Sequence, residues 1–326
     1  MTLELEARAY GHEDAEIWDH FCRESVNGTF LHTRRFLDIA RDRFVDSSLL
    51  LWSKGSLLGV IPAAVASEDA AAVTSHPGAT YGGIVHVGKI RGERMQTALL
   101  AVRDHLSASG YKSLNYRSVP HTYHSQPAED DDFFLRRLGA KVERATMNCV
   151  LNLRNTSAVS KRKSRNLKKA QSLEIRRNDL LNLEDFHSIL SDNLNRRHGT
   201  SPVHGAQDLE DLCTTFPDEI SLYTALIGSQ VIAGTLVFQT PTCWHSQYVA
   251  SSAAGAGTGA VDLVLAEAIN DARRAGAGYF SFGISNDPSS EDINETHGLN
   301  ETLYRFKVEF GGGGVVQLQW SWDLSH

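Results

Sequence analysis

The stretch Trp244-His245-Ser246-Gln247-Tyr248-Val249-Ala250 has the aromatic and β-branched content of a strand, and nine small residues, Ser251 to Gly259, follow it. Gly255, Gly257 and Gly259 alternate within that run. Val261, Leu263, Val264, Leu265, Ala268, Ile269 and Ala272 then recur at helical spacing up to Arg273-Arg274, and Gly276 and Gly278 stop the helix. Tyr279-Phe280-Ser281-Phe282-Gly283-Ile284 is a second short apolar run and reads as another strand. Strand, glycine turn, helix, strand is a unit that can hold a phosphate. Glycine lets the backbone approach closely, and the free N–H groups at a helix start favour an anion.

Two kinds of nucleotide site use such a unit. Gly255-Ala256-Gly257-Thr258-Gly259-Ala260 fits G-x-G-x-x-A, the dinucleotide fingerprint, and Asp287 stands roughly where an acid would meet a ribose. The preceding sequence argues against that reading, because it is not βαβ. Ile220 to Ile227, the turn Gly228-Ser229-Gln230, Val231 to Phe238 and then Trp244 to Ala250 read as consecutive hairpin-linked strands.

Antiparallel strands, a glycine turn, a helix and a final parallel strand is the order of a GNAT acyltransferase core. The sequence resembles that superfamily, and within it the tandem-domain branch that includes the Fem-type peptidoglycan enzymes. Arg197-His198-Gly199, Ser201-Pro202-Val203-His204, His245-Ser246-Gln247-Tyr248, Phe282-Gly283-Ile284-Ser285 and Leu303 to Gly311 carry the resemblance. One departure is plain. The family's phosphate loop, Q/R-x-x-G-x-G/A, starts on Arg or Gln, and Ala253-Ala254 offers neither. The fold class expected is α/β with a mixed sheet. It comprises two tandem GNAT-like domains, 1–150 and 151–326, each a mostly antiparallel sheet with a glycine loop, helix and parallel strand.

The first half supports this as a reduced echo of the second. Helices are expected over Asp14–Glu24 and Thr33–Ala40, the latter with Thr33 as N-cap. Ser48–Ser53 and Leu57–Val65 flank a turn at Lys54-Gly55-Ser56, and Ala70–Ser75 adds a further strand. A loop rich in special-backbone residues follows at His76–Gly83, then the amphipathic helix Arg91–Ser109 and the strand Ser113–Val119.

Composition narrows the function classes. The chain has 326 residues with 41% hydrophobic content, enough for two cores, and a formal charge of −7, which argues against a dedicated nucleic-acid binder. Cys22, Cys149, Cys213 and Cys243 are scattered without C-x-x-C spacing, as buried thiols of a reducing compartment would be. No apolar run reaches membrane-spanning length, and the acids of the first six residues are unlike a signal peptide. A cytoplasmic protein is expected; oligomeric state is not legible.

The most unusual charge pattern is Lys161, Arg162, Lys163, Arg165, Lys168 and Lys169, followed by Arg176 and Arg177, with Glu174 the sole acid in the segment. It is either a solvated helix face or a patch that steers an anionic substrate, such as a tRNA acceptor stem contacted through Lys161–Lys169. Aromatic residues are absent from it, so base stacking is not indicated.

Acyl transfer to an amine needs a group to take the ammonium proton, donors for the developing oxyanion, and fixed geometry. His198 and His204 flank the loop Gly199–Pro202 after a helix over Leu183–Arg197, and are candidate bases or else ordinary loop histidines. Strand alternation puts His245, Gln247 and Val249 on one face and Ser246 and Tyr248 on the other. His245 is thus a further candidate base, or a buried histidine bonded to a neighbouring carbonyl. Asp262, in the first helical turn, would repel a phosphate unless it faces away. A helix over Asn300–Phe310 carries Lys307 beside its apolar face, and Ser285–Leu299 reads as a mobile loop over the site.

The resemblance implies a donor site on Gly255, Gly257, Thr258 and Gly259 with Tyr248, and acceptor contacts from Gln247, Ser285, Asn300 and Tyr304. It nominates Lys307 to stabilise charge at the transferred acyl group, beside His204, His245 and His198. The donor is an acyl-CoA, acetyl or longer, serving a small amine acceptor. The alternatives are an aminoacyl-tRNA donor and a non-catalytic binding module on the same fold. No metal is expected, since no third ligand stands at a motif spacing.

Overall fold

The structure, a computed structural model, describes residues 5–65, 69–155, 159–286 and 298–325, with the backbone alone for residues 40, 41, 197 and 198. The described residues divide into two compact units, one from 5–146 and 316–325, the other from 147–286 and 298–315.

The first unit opens with β1 (Glu6–Ala9) and α1 (Ala15–Glu24). In α2 (Arg34–Leu37) the Thr33 side chain accepts from the Phe36 N–H, as an N-cap should. The helix expected to reach Ala40 instead tightens to a 3-10 run over Asp38–Arg43. Phe36 and Leu37 in its first turn are buried, whereas Asp38 and Ile39 are half-buried. After β2 (Val45–Asp46), β3 (Leu49–Ser53) and β4 (Ser56–Ile61) form a hairpin across Lys54-Gly55, both at positive φ, the geometry that matches strand twist. Then come β5 (Ala64–Val65), β6 (Ala72–Thr74), β7 (Val85–His86), α3 (Glu93–Ala108), β8 (Ser113–Arg117), α4 (Asp130–Arg137) and β9 (Lys141–Asn152). β1, β3, β4 and β7 form one antiparallel sheet, while β6 and β8 run parallel. One face of α3, with Met95, Ala98, Leu99, Val102 and Leu106, is buried against Leu114, Tyr116, Trp320 and Trp322.

In the second unit the expected order is present. It holds α5 (Lys161–Ala170), β10 (Glu174–Arg177), α6 (Leu183–His198), α7 (Ala206–Thr215), β11 (Ile220–Ile227), β12 (Gln230–Gln239) and β13 (Cys243–Ser251). α8 (Ala260–Arg274), β14 (Tyr279–Ile284) and α9 (Glu301–Val308) follow, and β15 (Gly313–Asp323) closes the chain. Residues 319–323 of β15 belong to the first unit, where they pair antiparallel with β8. The sheet order is β10-β11-β12-β13-β14-β9, antiparallel throughout except for β13 beside β14. Val264, Leu265, Ala268, Ile269 and Ala272 of α8 pack on Tyr223, Ala225, Ala233, Val237 and Trp244. α6 covers the opposite face. A side chain on Gly234 of β12 would come within 2.6 Å of the Phe186 ring.

Cys22, Cys149, Cys213 and Cys243 are free and buried. Among the described residues no helix is long and apolar enough to cross a membrane. Most of the loop expected over Ser285–Leu299 lies outside the described residues. Its two described ends meet in an antiparallel bridge, Asn286 to Leu299.

Candidate active site

β13 runs into the glycine turn and α8 begins at Gly259, whose φ of 86° is left-handed. A side chain there would also lie 2.4 Å from the Asn166 carbonyl oxygen. Glycine is therefore required twice over, by the backbone and by the helix against it. Thr258 Oγ1 donates to the Gly255 carbonyl at 2.7 Å and accepts from the Ala260 N–H at 3.2 Å, which fixes the turn. The N–H groups of Gly257, Gly259, Val261 and Asp262 have no acceptor among the described residues. They face the start of a fifteen-residue helix, the place where an anion is stabilised. A cavity of about 480 Å³ opens here, lined by Gly255, Gly257, Gly259 and Asp262 of the turn and first helical turn. Arg162, Asn166, Asn193 and Arg196 line its other sides. Arg162 of α5 is ion-paired with Glu309, and Arg196 of α6 donates to Asn193 Oδ1 at 2.7 Å.

The basic helix α5 is neither a wholly solvated face nor simply a steering patch. Lys163 is fully buried, and its Nζ donates to Asp262 Oδ1 at 2.5 Å. Asn166 Nδ2 donates to Asp262 Oδ2 at 2.6 Å, so both carboxylate oxygens are engaged. The Lys163 ammonium also lies 3.3 Å and 4.1 Å from the ring centroids of Phe306 and Phe310. Burial pushes its pKa down to about 8, against the pull of Asp262. Lys169 Nζ donates to the Gly257 carbonyl at 2.6 Å. Lys161, Arg165 and Lys168 keep exposed side chains. No sequence pattern marks Asn166 or Asn193, and the pairing of Lys163 with a residue 99 positions away leaves no periodic trace.

In β13 the structure corrects strict alternation. A bulge sits opposite Leu236/Val237, so Ser246 faces Val237 while Tyr248 faces Leu236, with Gln247 as the extra residue. Cross-strand partners share a face, so His245, opposite Phe238, and Tyr248 lie on the same side of the sheet. Gln247 lies beside both of them. Tyr248 Oη lies 2.7 Å from Nδ1 of the half-buried His204, and His187 Nε2 donates to the His204 carbonyl at 3.1 Å. His198 ends α6, and its side chain lies outside the described residues. His245 is 9% exposed, and burial drives its pKa down to about 4, helped by nearby Lys307.

β13 and β14 pair only at Cys243–Tyr279, Trp244–Phe280 and His245–Ser281, then part. β14 is irregular from Ser281 to Ile284, where Gly283 has a φ of 72°. Lys307 of α9 reaches this gap. It is buried, its Nζ donates to the carbonyls of Gly283 at 3.1 Å and Ile284 at 2.5 Å, and burial lowers its pKa to about 8. Ser285 is fully buried with its hydroxyl unpartnered among the described residues. Asn300 caps α9, its Oδ1 accepting from the Leu303 N–H at 2.9 Å, while Tyr304 packs against the apolar core. Among the described residues no His, Cys, Asp and Glu group could hold a metal.

The first unit repeats the topology around the parallel pair β6 and β8, with α3 between them. Its helix start is closed, however. The Gly92 N–H donates to Asp130 Oδ1 at 2.7 Å, so a carboxylate stands where an anionic ligand would need to be.

Residues 154–290 match the family model described as an acetyltransferase (GNAT) domain. The chain has a tandem GNAT, FemX-like fold. The crystal structure of FemX aligns with a TM-score of 0.68 at 13% identity, over 98% of this chain and 97% of that one. A tandem GNAT protein from the clavulanic acid biosynthesis pathway, solved without AcCoA, aligns at 0.54 and 11% identity, over 100% and 99%. L-PGS from Bacillus licheniformis aligns at 0.59 and 12% identity, over 98% and 94%. No curated protein matches the sequence.

Proposed function

We propose that this tandem GNAT, FemX-like chain is an N-acyltransferase. In this reading its C-terminal domain, 151–326, moves an acyl group from an acyl-CoA to the amine of a small acceptor. The observation that carries the reading is the cavity of about 480 Å³ lined by the glycine turn, whose Gly257, Gly259 and Val261 N–H groups have no acceptor among the described residues. It lies at the end of the strand that parts from β14, as a fold that admits a pantetheine arm requires. The closed helix start at Gly92 supports assigning the donor to the second unit.

The acceptor nitrogen attacks the thioester carbon, so that a C–N bond forms, the C–S bond breaks and the thiolate departs. His204, held against Tyr248, takes the proton from nitrogen. His245, with its pKa near 4, stays neutral at pH 7 and is a weak base, so we assign it to positioning at the point where the strands part. Lys307 stabilises the developing oxyanion with its charge. Gln247 and Ser285 are assigned to the acceptor.

An aminoacyl-tRNA donor is the second reading. It is favoured by the exposed Lys161, Arg165 and Lys168 on the helix whose Arg162 lines the cavity. Calorimetry with acetyl-CoA and longer acyl-CoAs, followed by amide formation assays, tests the proposal. Heat with any of them and turnover of an amine support it. No heat with all of them, but amide formation on charged tRNA, selects the second reading. Donor binding without turnover on any amine would leave only a binding module.

A further inference from the structure

Asp262 lies at the third position of α8 and lines the cavity proposed above for the donor's phosphates. An uncompensated carboxylate there would repel any phosphate brought to the N–H groups of Gly257, Gly259 and Val261. We infer that Lys163 is a positioning residue that masks Asp262 and so turns the start of α8 into a site for a polyanionic donor, an inference that rests on the donor-site reading.

Three features of the packing support it. Both carboxylate oxygens of Asp262 are turned onto α5, one to Lys163 and one to Asn166. Phe306 and Phe310 cover the ammonium, and Lys163 is 0% exposed, so water cannot take over its charge. The second electronegative group of the turn, the Gly257 carbonyl, is covered by Lys169 of the same helix. α5 thus engages the acid and the carbonyl that would oppose an anion, while the N–H groups stay available. If Lys163 merely joined helices, losing it and losing Asp262 would weaken ligand binding independently.

The test is calorimetry of coenzyme A and of inorganic pyrophosphate on the full chain and on Lys163→Met, Asp262→Asn and the double variant. Lys163→Met is expected to weaken both ligands at least about tenfold, and Asp262→Asn to stay within about threefold of the unmodified chain. The double variant, in which nothing remains to be masked, should also return to within about threefold. A double variant as weak as Lys163→Met, or Lys163→Met binding normally, overturns the inference. Should Lys163→Met fail to fold, Lys163→Gln, which removes the charge but keeps a donor for Asp262, takes its place with the same expectations. Normal pyrophosphate binding in Lys163→Gln overturns the inference. Pyrophosphate bound and coenzyme A refused by the unmodified chain would remove the acyl-CoA donor while leaving the masking measurable. Neither ligand bound would end both.

Discussion

Tyr248 Oη and His204 Nδ1 are 2.7 Å apart, joining the bulged strand β13 to the loop after α6. Because the bulge places Tyr248 on the face of His245, one strand face carries both His245 and the tyrosine that bonds His204. A hydrogen bond of this kind holds the imidazole in one tautomer and orientation, which a base needs more than it needs a shifted pKa.

If the pair acts as a unit, its members should not contribute additively. His204→Ala is expected to lower kcat more than about tenfold, and Tyr248→Phe about tenfold with little change in KM. The double variant should be no slower than His204→Ala alone. Melting temperatures should barely move, because His204 is half-buried on a loop. Independent, multiplying losses would separate Tyr248 from the base.

Lys307 presents an ammonium whose pKa burial has lowered to about 8. It is charged below that pH and loses its proton above it, so any rate it supports must fall on the alkaline side. The pH–rate profile should show a descending limb near pH 8. Lys307→Met should lose that limb together with about a hundredfold in kcat. A variant that keeps the limb would assign it to another group.

Much of the second unit was legible because its signals are local. The turn at Gly228-Ser229, the glycine run, the 3.6-residue periodicity of Val261–Ala272 and the apolar spacing of Leu303, Phe306 and Phe310 each lie within a few residues of what they specify. The bulge at Gln247 was not legible. An extra residue in a strand changes no residue type, so alternation placed Tyr248 on the wrong face. The burial of Lys163 was hidden for a different reason. A lysine among five other cations reads as solvated until the partner that neutralises it, Asp262, is brought alongside by the fold. The same blindness made Asp262 an apparent obstacle to phosphate.

Acid should destabilise the protein well before the carboxylates titrate. Burial lowers His32, His76, His86, His124 and His245 to about 4 each. The unfolded chain binds their protons from about pH 6.5 downward while the folded chain does not, so stability rises with pH across that interval. Each histidine contributes up to about 1.4 kcal/mol per pH unit within it. Asp131, raised to about 7 by burial, acts with the opposite sign, as do Asp19 and Asp132, also raised. The histidines outnumber them. Melting temperature should fall steadily from pH 6.5 to 4.5, and a flat profile would contradict the buried neutral rings.

The glycine turn gives a comparison in which backbone strain and steric room separate. Gly257 and Gly259 both have positive φ, 72° and 86°. A methyl group on Gly257 would meet nothing within 4 Å, whereas on Gly259 it would sit 2.4 Å from the Asn166 carbonyl oxygen and 3.3 Å from Ala170 Cβ. Gly257→Ala should therefore cost only the left-handed conformation, about 1 kcal/mol. Gly259→Ala adds a clash with the backbone of α5, which can be relieved only by moving that helix and with it Lys163 from Asp262. A loss above about 3 kcal/mol is expected, together with weakened donor binding. Chemical denaturation of the two variants, with coenzyme A binding measured on each, checks this. Equal losses would mean that α5 does not bear on the turn as tightly as the 2.4 Å approach requires.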